Sequence, residues 1–84
     1  MLRITRTGTD ETTTLSLEGK LVGQWIGEFE AAGQAAPRLT IDLAAVTFVD
    51  ADGVRVLRRL MREGHAVKGA SRFVAELLRE VPQT

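Results

Sequence analysis

Apolar and polar residues alternate along two short stretches near the N-terminus, residues 2–6 and residues 13–18. A period of two is typical of a strand with one face buried and one face in water. The residues between them, 8–11, include the glycine and aspartate that favour turns. The pattern therefore predicts two strands that form an antiparallel hairpin at the edge of a sheet.

Apolar residues recur at helical spacing after the second strand. Gly19 and Gly23 bracket a short segment that we interpret as a strand-to-helix connection. The three- and four-residue steps that follow predict an amphipathic helix ending near Pro37, because the residue before a proline is pushed out of helical geometry. The apolar residues at this spacing are Val22, Trp25, Ile26, Phe29, Ala32 and Ala36.

Residues 39–49 are almost continuously apolar and rich in β-branched side chains, which favours a central strand covered on both faces. Eleven residues is long for one strand, so we expect a bend or turn near residues 44–45. Residues 51–63 return to helical spacing, and Gly64 stands where a helix is often terminated by glycine. The predicted apolar stripe of this helix comprises Val54, Leu57, Leu60 and Met61.

The C-terminal part of the chain repeats the strand-then-helix order. Residues 65–69 form a short candidate strand, and Ser71 is well placed to cap a last helix. That helix is predicted to bury Phe73, Val74, Leu77, Leu78 and Val81. The whole order, β-β-α-β-α-β-α, predicts the α/β class, with a small, mostly parallel sheet of about four strands and about three helices. We interpret residues 1–84 as a single domain.

Composition narrows the classes of function. The 84 residues carry eleven basic and eleven acidic side chains, so net charge gives no reason to expect nucleic acid or an anionic membrane as partner. The absence of cysteine excludes disulfides and thiolate metal sites. No apolar run has the length of a signal peptide or a membrane span. The expectation is a cytoplasmic protein that is not inserted in a membrane.

The stretch FVDADGVRVLRRL, residues 48–60, places two carboxylates where the long strand feeds the next helix. Ligand sites of open α/β sheets lie beyond such strand ends. We interpret Asp50 as the cap of the helix and Asp52 as complementing its positive end. A small-molecule or metal site using this turn, with Asp42 as a further ligand, is an alternative. Neither a phosphate-binding loop nor a catalytic triad is visible, so we expect no enzyme and no cofactor.

Four arginines, Arg55, Arg58, Arg59 and Arg62, follow in the same helix at i, i+3, i+4 and i+7. This spacing predicts one shared helix face, opposite the apolar stripe. The face is either simply solvated or an anchor for an acidic protein surface or a phosphate-bearing ligand. No aromatic residues are interleaved with the arginines, which argues against base stacking with nucleic acid.

Three segments resemble the STAS family, the sulfate transporter and anti-sigma factor antagonist domains. LSLEGKL, residues 15–21, is similar to the family's strand with a leucine-x-glycine-x-leucine step. LTIDLAAVTFVDADGVRVLRRL, residues 39–60, resembles its central strand, acidic turn and second helix. VKGASRFVAELL, residues 67–78, resembles the next strand and helix. The family's usual last strand and helix have no counterpart, so the resemblance implies a minimal version.

The resemblance implies a binding module without catalysis. In bacterial members the acidic turn and the helix after it dock on an ATPase-like partner. If the partner is an anti-sigma factor kinase, this chain would be a transcription regulator of the anti-sigma factor antagonist type. The alternative partner is the ATPase of an ABC-type lipid transporter. Gly53 is expected to keep the turn open, so that Gly53→Arg abolishes binding while the fold survives. The implied partner-binding residues are Asp50, Ala51, Asp52, Gly53, Arg55 and Arg58.

Ala51 departs from the phosphoswitched members of the family, in which a serine or threonine follows the aspartate. Alanine accepts no phosphate, so we expect a partner-binding module that is constitutive or controlled by its abundance. Asp52 lies one residue further, about 100° around the helix, and carries a smaller charge than a phosphate. It is therefore not interpreted as a phosphomimic. Phosphorylation of Thr47 or Ser71 that altered binding would contradict this expectation.

Overall fold

The computed structural model describes residues 2–8, 11–33 and 37–79. Within them the elements follow the predicted order, β-β-α-β-α-β-α. The strands are β1 (Leu2–Gly8), β2 (Thr13–Leu21), β3 (Leu39–Val49) and β4 (Ala66–Lys68), and the helices are α1 (Trp25–Gly33), α2 (Ala51–Arg62) and α3 (Arg72–Arg79).

The four strands form one sheet in the order β1-β2-β3-β4. β1 and β2 are antiparallel, whereas β2 pairs with β3 and β3 with β4 in parallel. Because parallel neighbours need a crossover, each parallel pair is joined through a helix. The predicted α/β class, the hairpin at the sheet edge and the mostly parallel sheet are confirmed.

The connection after β2 is shorter than predicted. Gly19 and Lys20 pair with β3 as part of the strand, which continues to Leu21. Helix α1 begins only at Trp25, so Val22 precedes it. The predicted helical position Ala36 lies outside the described residues. The strand therefore carries the chain to the same edge of the sheet at which β3 ends.

The core lies on one face of the sheet, and the prediction that β3 is covered on both faces is wrong. Buried side chains of β3 alternate with exposed or half-buried ones, except at the two places where the register against β2 shifts. One shift leaves Ala44 and Ala45 both exposed, so the expected bend near residues 44–45 is a bulge within an unbroken strand. The sheet's buried residues include Leu15, Leu17, Leu21, Leu39, Ile41, Leu43, Val46 and Val49.

The helices cover the buried face, with α2 in contact with both α1 and α3. The side of α2 turned to the sheet carries Gly53, Val56 and Leu57, so the predicted stripe is displaced around the helix. Met61 is exposed, which corrects its assignment to the core. Val54 and Leu60 are only partly buried.

Helix α3 is held to the core by fewer residues than predicted. Val74 is fully buried, and Leu77 and Leu78 are half-buried. Phe73, predicted to face inward, is 52% exposed. The remaining predicted core position, Val81, lies outside the described residues. Part of the apolar surface of α3 is therefore open to solvent or to a partner.

The predicted helix ends are present. Ser71 Oγ accepts a hydrogen bond from the backbone N–H of Val74 at 3.1 Å, as expected of an N-cap. After α2, Gly64 has a φ of 97°, a left-handed conformation that glycine adopts without strain. His65 precedes β4, and its Nδ1 accepts a hydrogen bond from the N–H of Leu39 at 3.0 Å. This imidazole therefore supports the start of β3.

Candidate functional site at the β3–α2 turn

Asp50 fixes the turn between β3 and α2. Its Oδ1 accepts a hydrogen bond from the N–H of Gly53 at 2.8 Å, which makes it the N-cap of α2, as the sequence predicts. Its Oδ2 accepts another from the N–H of Gly23 at 2.9 Å, and its own N–H donates to the carbonyl of Leu21 at 3.2 Å. Asp50 thus ties the turn to the loop that follows β2.

This arrangement leaves the next two residues at the surface. Ala51 and Asp52 are both exposed in the first turn of α2. The carboxylate of Asp52 forms an ion pair with Arg55 at 2.7 Å, in which both side chains are more than half exposed. Such a pair contributes little stability because water screens it. The turn therefore presents a small methyl group beside a paired carboxylate on a fixed backbone.

Gly53 faces the interior and not the solvent, which corrects the expectation drawn from the sequence. A Cβ at this position would lie 2.7 Å from Cγ1 of Val49 and 2.8 Å from the carbonyl oxygen of Leu21. Glycine is thus required because the first turn of α2 packs directly on the ends of β2 and β3. A bulky residue here is expected to disturb the fold, so Gly53→Arg does not test docking by itself.

The four arginines lie on one face of α2, as their spacing predicts, but their side chains contact different neighbours. The Nε of Arg58 donates to the carbonyl of Leu78 at 3.0 Å, on the side of α3. Arg59 turns towards α1, where its Nη2 lies 2.7 Å from Oε2 of Glu30. Arg58 and Arg59 therefore contact different neighbouring helices, and Arg58 also satisfies a carbonyl in the last turn of α3.

A groove of about 520 Å³ begins at the turn and continues between α2 and α3. Asp50 and Ala51 line one end, and Arg55, Arg58 and Arg62 line the side formed by α2. No isolated segment of the sequence indicates such a groove, because it requires α2, α3 and the end of β3 together. The predicted docking residues, apart from Asp52 and Gly53, thus lie along one surface.

The carboxylates do not assemble into a metal site. Asp42 Oδ1 accepts a hydrogen bond from the N–H of Ala44, two residues along its own strand, and the oxygens of Asp50 are bound to backbone N–H groups. Within residues 2–8, 11–33 and 37–79, no three His, Asp or Glu side chains are grouped as metal ligands would be. None of the helices in these ranges combines the length and apolar character of a bilayer span.

The two hydroxyls considered for phosphorylation have structural contacts. Thr47 Oγ1 donates to the carbonyl of Gly19 at 3.2 Å, linking β3 to β2, and Ser71 caps α3. Neither residue lines the groove. Ala51 remains the position at which the resemblance would place a phosphate acceptor.

A family model described as "Mlab, STAS domain" matches residues 4–81. The chain belongs to the STAS domain family. The resemblance drawn from three short segments is confirmed over nearly the whole sequence. Membership of this family agrees with the expectation that the protein is not an enzyme. No curated protein matches the chain in sequence.

Solved anti-sigma factor antagonists share the fold at low sequence identity. An anti-sigma factor antagonist STAS domain from Rhodobacter sphaeroides is 24% identical, with a TM-score of 0.59 over 84% of this chain and 92% of that one. The anti-sigma factor antagonist SpoIIAA in its unphosphorylated form is 18% identical, with a TM-score of 0.70 over 92% and 78%. An anti-sigma factor antagonist from Mycobacterium paratuberculosis is 20% identical, with a TM-score of 0.67 over 92% and 77%.

Proposed function

We propose that this STAS domain is a regulatory binding module that docks on an ATPase-like anti-sigma factor through the β3–α2 turn. The observation that carries the proposal is the double role of Asp50, whose carboxylate binds the N–H groups of Gly53 and Gly23 at 2.8 and 2.9 Å. A turn fixed to two backbone segments keeps its shape before binding, which reduces the entropy lost on association.

The exposed residues of the turn suit close approach by a protein. Ala51 places only a methyl group at the surface, so a partner backbone can come near the first turn of α2. The ion pair of Asp52 with Arg55 at 2.7 Å offers both signs of charge beside it. Rim charges of this kind contribute more to specificity and association rate than to affinity.

The missing hydroxyl at Ala51 supports binding without a phosphoswitch. The other hydroxyls of this region, Thr47 and Ser71, hold a strand pair and a helix cap. We propose that the amount of the protein, rather than its phosphorylation, sets how much partner is bound. The partners implied by the resemblance are an anti-sigma factor and, as the alternative, the ATPase of an ABC-type lipid transporter.

Replacing Ala51 with arginine is expected to weaken partner binding by about tenfold or more, because a long charged side chain would stand in the contact surface. Ala31→Arg is the matched control, since Ala31 is exposed on α1. The tagged protein captures its partner from native lysate, and the purified partner is then titrated with both variants by calorimetry. Equal affinities for the two variants would show that the turn is not the docking site.

Restoring a hydroxyl with Ala51→Ser is expected to separate the two candidate partners. The serine would be exposed at the start of α2, where backbone N–H groups and the helix dipole favour a phosphate. If the partner is an anti-sigma factor kinase, incubation with ATP and Mg²⁺ should add one phosphate to the variant and none to wild type, as read by intact-mass spectrometry. A captured partner that forms a complex with a transporter would instead identify the lipid-transport role.

A further inference from the structure

The groove between α2 and α3 has an apolar floor. Phe48 and Val49 from the end of β3, Val54 from α2 and Leu77 from α3 line it. Phe48 is 39% exposed and stacks on Phe73, with ring centroids 6.0 Å apart. Exposed aromatic rings beside arginines are typical of the residues that dominate protein–protein binding energy.

The opposite face of the sheet has a different character. Its exposed and half-buried positions on β1 and β2 are mainly threonine, serine and charged residues, such as Thr5, Ser16 and Glu18. Among the described residues of β1 and β2, no large hydrophobic side chain is exposed. The exposed aromatic rings and the groove therefore favour the α2–α3 side as the surface that binds a partner.

The charges along the groove are predominantly positive. The carboxylate of Asp50 is bound to backbone N–H groups, and Arg55 is paired with Asp52 at the end near the turn. Arg58 and Arg62 line the remainder, and Asp50 is the one acidic residue among the described residues of the lining. A ligand of this groove should therefore carry negative charge near the C-terminal half of α2.

We propose that the groove receives an acidic amphipathic helix of the protein partner. Its apolar side chains would lie against Phe48, Val54 and Leu77, and its carboxylates would face Arg58 and Arg62. This inference rests on the proposed function, because the groove begins at Ala51 and would belong to the same docking surface. Helices that bind in grooves use apolar residues at i, i+3, i+4 and i+7 in this way.

The dimensions are consistent with a short helix as the occupant. Helix α2 has twelve residues, about 18 Å at 1.5 Å per residue, so a helix of roughly three turns can run alongside it. The groove is also open to solvent, and Asp50 and Ala51 of the turn are among its lining residues. A protein segment can occupy both at once, which gives the larger buried area that specific complexes need.

The inference is tested with two fluorescein-labelled helical peptides that have leucines at i, i+3, i+4 and i+7. One carries glutamates on the flanking positions, and the other carries lysines there. Anisotropy titrations should show binding of the acidic peptide, and Arg62→Glu should weaken it by about tenfold, since a like charge would then face its carboxylates. Arg6→Glu on β1, which makes the same charge change at an exposed site, should leave the affinity within about twofold.

Several results would overturn the inference. These are equal binding of the lysine peptide, no binding of either peptide, and equal losses in the two arginine variants. Saturable binding to anionic phospholipid vesicles that Arg62→Glu abolishes would identify a lipid surface as the occupant instead. A dimer of the protein that Arg62→Glu dissociates in sedimentation velocity would identify a second copy.

A photo-crosslinking experiment keeps this inference separate from the proposed function. Benzoylphenylalanine at Leu77, a groove position outside the turn, should crosslink to an acidic, helical segment of the purified partner, identified by peptide mass spectrometry. If Ala51→Arg abolishes partner binding while Leu77 crosslinks to nothing, the proposed function stands and the groove helix is rejected. If the peptide binds but Ala51→Arg leaves partner binding intact, the turn is rejected and the groove helix stands.

Discussion

Replacing Gly53 with arginine is expected to destabilise the fold by at least about 3 kcal/mol, because it both overpacks a contact and buries a charge. The new Cβ alone would lie 2.8 Å from the carbonyl oxygen of Leu21, a backbone atom that cannot rotate away. The melting temperature should fall by more than about 10 °C, measured by circular dichroism, since a domain of this size loses roughly 4–8 °C per kcal/mol.

Gly27→Arg is the matched control for this prediction. Gly27 is exposed in α1, and a Cβ there would meet nothing within 4 Å. Removing a glycine from an exposed helix should gain up to about 1 kcal/mol of helix propensity. Equal melting temperatures for Gly53→Arg and wild type would mean that the start of α2 does not pack on β2 as described. Lost partner binding in an unfolded Gly53→Arg would say nothing about docking.

The order of elements could be predicted because periods of two and of 3.6 residues depend only on neighbouring positions. The N-cap role of Asp50 was predictable for the same reason, as its acceptor contacts Gly53 three residues away. The second hydrogen bond, to Gly23, joins residues 27 positions apart and depends on how far β2 extends. The local sequence pattern does not predict this long-range hydrogen bond.

The orientation of α2 against the sheet could not be predicted to within one residue. The sequence offers both Val54 and Val56 as apolar neighbours of Leu57, and periodicity alone does not choose between them. Because Gly53 permits close packing on Leu21, the helix turns its Gly53–Val56–Leu57 side to the sheet. This choice places Val54 at the groove and Met61 at the surface.

The groove depends on the same choice and on α3. Phe73 looked like a core residue because it lies four positions before Leu77, yet it is half exposed and stacks on Phe48. Arg58 looked like a solvent-facing residue, yet it holds the carbonyl of Leu78. In both cases the contact joins residues at least 20 positions apart. A candidate interface made by two helices is therefore visible only in three dimensions.

Replacing Asp50 with alanine is expected to lower the free energy of unfolding by about 2 kcal/mol. Loss of an N-cap costs about 1 kcal/mol, and the released N–H of Gly23 loses a further hydrogen bond of similar value. Urea unfolding measures the change, and Asp52→Ala is the control. Asp52 is exposed and its ion pair with Arg55 is exposed too, so its loss should alter stability by less than about 0.5 kcal/mol.

The Asp50→Asn variant distinguishes the effect of the N-cap hydrogen bond to Gly53 from the effect of the hydrogen bond to Gly23. An asparagine oxygen can still accept from Gly53, but its NH₂ group would face the N–H of Gly23, so one of the two hydrogen bonds is lost. The free energy of unfolding should then lie between those of wild type and Asp50→Ala. If the hydrogen bond to Gly23 also holds the turn for docking, partner affinity should fall in this variant while α2 stays capped. Unchanged affinity would mean that the cap alone positions Ala51.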